Sequence, residues 1–104
     1  MDLMKDKIKP IYFELQGYLS QAPEREKGLI FEKEIWTQHN QSIDELEQVT
    51  SKKYDRYRIH PEIQNWNGVS RQSITTQAYR TILGGLISRL HGEYFPDENS
   101  PIKK

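Results

Sequence analysis

The apolar spacing near the carboxyl end restricts the fold more than any other feature of this chain. Ala78, Tyr79, Ile82, Leu83, Leu86, Ile87, Leu90 and Tyr94 fall almost entirely in neighbouring pairs that repeat every four residues. That spacing makes one wide face of a 3.6-residue helix and cannot be a strand, whose faces alternate every residue. The reading is a helix from Ser70 to about Tyr94, stopped by Pro96.

Two more faces of the same period precede it. Met4, Ile8, Ile11, Leu15, Tyr18 and Leu19 predict a helix over residues 2–21. Pro10 lies inside that pattern, which stays in phase across it, so a kinked helix is expected there. Glu32, Trp36, His39, Ile43, Leu46 and Val49 mark a helix over about 30–51. Ser42 followed by Glu45 also reads as a capping box, which would split this helix near Asn40. The unbroken phase favours a single helix. Between Lys53 and Gly68 the helical period is lost: Tyr57, Ile59 and Ile63 are even-spaced, and Pro61 and Asn67-Gly68 punctuate. An extended connection, with room for a short strand, is expected.

The predicted fold is therefore all-α: a small antiparallel bundle of three helices near 2–21, 30–51 and 70–94, with a long irregular connection between the second and third. At 104 residues this is one domain, residues 1–95, with a charged loop at Glu24–Gly28 and a polar, disordered tail at 96–104.

Only 35% of the residues are apolar, fewer than usual, so the core must be thin. A thin core favours covering more apolar area with a second copy or another protein. Absence of cysteine rules out disulfides and thiolate chemistry and suits a reducing compartment. No apolar run is long enough for a membrane span, and the amino terminus lacks the apolar centre of a secretory signal. A soluble, cytoplasmic protein is expected.

The net charge is zero, yet the halves differ. Residues 1–51 carry six Lys/Arg against ten Asp/Glu, and residues 52–91 carry seven against two. Such a chain either pairs its own halves or offers a basic surface to an acidic partner.

Catalytic constellations are missing from the pattern. His39, His60 and His91 have no metal-ligand spacing. His39, on an apolar face, reads as a hydrogen-bonded core or interface residue, and His91 as a cation at a helix end. Gly84-Gly85 is neither preceded by a strand nor followed by Lys and Ser/Thr, which excludes a phosphate loop. Glu32, Glu34, Asp44, Glu45 and Glu47 read as a solvated helix face, and Ser20, Ser42 and Ser73 lack a neighbouring base. No cofactor, metal or catalytic residue is expected. Two glycines inside a helix each cost about 0.8–1 kcal/mol against alanine, so they need a cause. With Thr81 and Ser88 they form a small-residue patch on which another helix would pack closely.

The function this supports is a non-catalytic interaction or self-association module, working as a homo-oligomer or on another protein through Tyr79, Leu83, Gly85, Leu86 and Leu90. The alternative is a small nucleic-acid-binding protein using Lys52, Lys53, Tyr54, Arg56, Tyr57 and Arg58, where cations alternate with aromatics. Arg71, Arg80 and Arg89 step by nine residues, half a turn apart, so they do not extend that strip along one helix face. An enzyme or inhibitor with no recognisable motif is the weaker third reading.

Overall fold

The computed structural model describes residues 3–22 and 28–97. Asp2, most of the expected charged loop and residues 98–104 of the expected tail lie outside them. Three helices form: α1 (Leu3–Gln21), α2 (Lys33–Thr50) and α3 (Thr76–Tyr94). α1 runs through Pro10, and α2 is one continuous helix. Ser42 does not cap it, since its hydroxyl donates back to the Gln38 carbonyl at 3.2 Å. α2 ends in a left-handed residue, Ser51 at φ 59°, whose N–H bonds the Glu47 carbonyl.

The all-α expectation is overturned by a three-stranded antiparallel sheet: β1 (Leu29–Ile30), β2 (Glu62–Trp66) and β3 (Val69–Thr75), in the order β1-β3-β2. Residues 70–75, expected as the start of the third helix, belong to strand β3, and α3 begins at Thr76. Two local devices force the change. Asn67 and Gly68 both take positive φ, 52° and 81°, the signature of a type I′ turn whose twist matches paired strands. Thr75 then caps α3, its hydroxyl accepting the Ala78 N–H at 3.1 Å. The strand passes into the helix with no loop between.

α1 packs against both other helices. The core joins Ile8, Ile11, Tyr12 and Leu15 of α1, Trp36, Ile43 and Leu46 of α2, and Tyr79, Leu83, Leu86, Ile87 and Leu90 of α3. Ile30 and Ile74 close it from the sheet, and Tyr12 stacks on Phe95 with ring centroids 4.6 Å apart. A short 3-10 turn (Asp55–Tyr57) bridges α2 and α3. The β2–β3 hairpin extends away from this core: every described side chain from Asn67 to Gln72 is exposed, and the molecule is 57 Å long against 30 and 18 Å in its other directions.

Candidate functional site

The structure places the α3 stripe inside the chain. Tyr79, Leu83, Leu86 and Leu90 are buried in one core with residues of α1 and α2 and present no surface on the folded chain. Gly85 is covered by an aromatic ring and not by a helix: Cε1 of Tyr57 stands 3.3 Å from where a β-carbon of residue 85 would sit. The close approach inferred from the glycine pair is real, but it lies within one chain and involves the connection.

Residues 52–58 are brought together, and their role is to fasten that connection to α2 and α3. His39, Asn40, Asp44 and Glu47 share one face of α2. His39 Nε2 lies 2.6 Å from the Tyr57 carbonyl, and Glu47 Oε2 accepts the Tyr54 N–H at 2.8 Å. Arg58 is held by three carboxylates, Asp44, Glu47 and Asp55, at 2.7, 2.8 and 3.2 Å. Asp44 first, then the other two, raise the pKa of the guanidinium, while the Tyr54 N–H followed by Arg58 lowers that of Glu47. Lys52 pairs with Glu93, which Arg89 also binds, at 2.6 Å. Burial opposes the charge of Glu93, yet the two cations hold its carboxyl below the usual range. Arg89 lies 4.3 Å from the ring centre of Tyr54, which is fully buried, and donates to the Lys53 carbonyl at 3.3 Å. Burial pushes the Tyr54 phenol up to about 12. Arg56 lies over the Tyr57 ring. The opposite charges of the two halves thus meet within the chain at Arg58, which binds Asp44 and Glu47, and Arg58, Lys52 and the two tyrosines do not form an open strip for phosphates and bases.

The hairpin carries what the two expected sites lack. Ile63 and Val69 are 66% and 65% exposed. Paired residues share a face, so Gln64, Arg71 and Val69 lie on one side of the sheet, and Ile63, Asn65, Ser70 and Gln72 on the other. On the first side Phe31, just after β1, joins Gln64, Val69 and Arg71 around a mainly apolar pocket of about 180 Å³. The Arg71 guanidinium carbon lies 4.0 Å from the Phe31 ring centre.

Along both edges of the hairpin runs backbone that no strand pairs with among the described residues, β1 beside Thr75 and Ile74 excepted. In a two-residue turn the flanking pair, Trp66 and Val69, exchanges hydrogen bonds, and every second pair does the same. Ile63 and Asn65 on β2 therefore direct their N–H and C=O outward, as do Ser70 and Gln72 on β3. β1 fills the lane beside β3 only at Leu29–Ile30, with the Thr76 N–H bonded to the Gly28 carbonyl at 2.9 Å. Farther along, no strand pairs with β3 on that side among the described residues. The Asn-Gly pair was the signal for this site, because in a two-residue loop it is the strongest short-range mark of a hairpin.

Among the described residues, no cluster of three His, Cys, Asp or Glu side chains is placed to hold a metal, and no helix is long and apolar enough to cross a membrane. No protein-family model matches the chain, and neither does any curated protein or solved structure.

Proposed function

We propose that this chain is a non-catalytic protein–protein interaction module whose contact element is the β2–β3 hairpin, joining a second copy or another protein. One observation carries the reading: the hairpin holds Ile63 and Val69 in solvent beside two edges whose backbone is unpaired among the described residues. Exposed strand edges are normally blunted with lysine, proline or a bulge, because they template pairing with another chain. Residues 62–66 contain no lysine or proline, and their register with β3 is unbroken. A polar, extended edge flanked by apolar side chains suits strand addition, in which main-chain bonds supply affinity and alternate side chains supply selectivity. The mutual pairing of Arg58, Lys52, Arg89 and their carboxylates supports a structural use of these charges over a catalytic one. The absence of cysteine supports a cytoplasmic setting.

The test places a photo-crosslinking amino acid at Ile63 or Val69 on the hairpin and, as controls, at the exposed positions Lys7 and Gln41 on the helices, in the living cell. Expected are protease-sensitive, nuclease-resistant adducts from the hairpin positions only, at twice the chain's mass if the partner is a second copy. Adducts that form equally at the helix positions, or that nuclease removes, would sink the reading.

A further inference from the structure

We infer that the lane beside β3 left open by the shortness of β1 accepts an extended peptide of a partner protein, bearing a carboxylate and, two residues later, an apolar side chain. This rests on the hairpin reading above and goes further by naming the edge, the side chains that read the peptide and the chemistry they read.

Three independent features meet in that lane. The first is backbone. Ser70 and Gln72 direct their N–H and C=O groups into it, continuing the row that Ile74 shares with Ile30. An antiparallel peptide in line with β1 would bond to both. The second is the pocket. Phe31, Val69 and the aliphatic parts of Arg71 and Gln64 enclose about 180 Å³ on the outer face, and a 150 Å³ apolar cavity already takes a benzene-sized group. The third is charge. Among the described residues Arg71 has an aromatic partner and no carboxylate, whereas Arg58 and Arg89 each bind one or more. A guanidinium that lies against a ring and has no carboxylate keeps its N–H donors for one, which it can bind by two parallel bonds.

Register turns these features into a pattern. Extending the pairing of Leu29 with Thr75 and Ile30 with Ile74 puts Phe31 across from Ser73. In the same lane the next outward-facing positions lie across from Arg71 and then Val69. A peptide running in the direction of β1 therefore sets one residue beside Arg71 and, two residues on, another beside Val69. The first wants a carboxylate, the second an aliphatic or aromatic chain. Glu32 and Lys33, where the lane closes against α2, carry opposite charges and add no net bias.

The test uses the full chain, fluorescence anisotropy, and three labelled probes: a pool of nine-residue peptides with Glu at position 4 and Val, Ile or Leu at position 6, the same pool with Lys at position 4, and a single-stranded oligothymidylate. The expected result is that the parent chain prefers the acidic pool. Arg71→Glu, on an exposed side chain, should lose acidic-pool affinity by about tenfold and gain affinity for the lysine pool. Gln72→Pro should abolish binding, since proline removes an N–H directed into the lane while sparing the β2 ladder. Asn65→Pro, which removes the matching donor on the outer edge of β2, should leave binding unchanged. Equal binding of both pools, no binding by either up to about 1 mM, or preferential binding of the oligonucleotide overturns the assignment. Loss with Asn65→Pro and none with Gln72→Pro would move the peptide to β2, defeating this lane while the hairpin reading stands. Amide signals of the hairpin that no peptide pool shifts, with crosslinks confined to the helices, would remove both.

Discussion

Asn40 holds Ile59 by both of its backbone groups: its amide nitrogen donates to the Ile59 carbonyl and its amide oxygen accepts the Ile59 N–H, each at 2.9 Å. One side chain on α2 thus does for the connection what a neighbouring strand would do, and it leaves Ile59 buried in the core. Replacing Asn40 by alanine strands a donor and an acceptor in a part-buried position, at about 1–3 kcal/mol each. A loss of about 2–4 kcal/mol in urea unfolding is expected, and a loss under about 0.5 kcal/mol would show that water replaces the amide without cost.

Gly85 and Tyr57 form a pair whose coupling has a defined sign. In the parent chain, alanine at residue 85 meets the Tyr57 ring at 3.3 Å, which offsets the gain of about 0.8–1 kcal/mol in helix propensity. With Tyr57→Ala in place the obstruction is gone, and Gly85→Ala should then stabilise by about 0.5–1 kcal/mol. Thermal melts of the four proteins measure the coupling. Because the contact lies within one chain, the result should not depend on protein concentration, and an equal effect in both backgrounds would refute the contact.

Acid should loosen the fold through His39. Its imidazole is fully buried, its Nδ1 has no hydrogen-bond partner among the described residues, its Nε2 meets the Tyr57 carbonyl, and the edge of the Tyr79 ring lies nearby. Burial presses its pKa below 6.5 despite the opposing bond to Tyr57. A histidine with a depressed folded pKa binds its proton more readily when unfolded. Its contribution is therefore complete above about pH 6.5 and is lost as pH falls below that value toward the folded pKa. The urea midpoint should drop from about pH 7 to pH 5, and His39→Gln should flatten that dependence. The carboxyls of Glu47 and Glu93, both held low, give way only in more acid solution, so the two losses separate in pH.

Leu86→Asp should be more damaging than any single charge change within residues 52–58. Leu86 is completely buried, and an unpaired carboxylate at its place carries both a lost apolar side chain and an unsolvated charge. A loss above about 4 kcal/mol, independent of protein concentration, is expected by circular dichroism. A parent-like melting temperature would mean that α3 can expose this face.

The helices were legible because their apolar residues keep one phase: Ile8 with Ile11 and Leu15, Trp36 with Ile43, Leu83 with Leu86 and Leu90. β3 was not, because its distal residues are exposed on both faces and Ser70, Arg71 and Gln72 show no alternation. Its helical reading came from the strong period that starts three residues after Thr75. The glycine pair announced a close approach but not its donor, since Tyr57 comes from a segment without periodicity. The same holds for the basic cluster. Composition left open whether Arg58 and Lys52 meet the chain's own carboxylates or an acidic partner, and the packing of the connection brings Glu47 and Glu93 to them.

The stacking of Tyr12 on Phe95 fixes when the molecule can mature. The two rings stand near opposite ends of the described residues, and Phe95 directly follows α3, the last of the described elements. Synthesis adds about 5–20 residues each second, so α1 and α2, which pack on one another, leave the ribosome seconds before α3 exists. During that interval the face of α1 that carries Ile8 and Leu15 lacks the helix against which it packs in the finished fold.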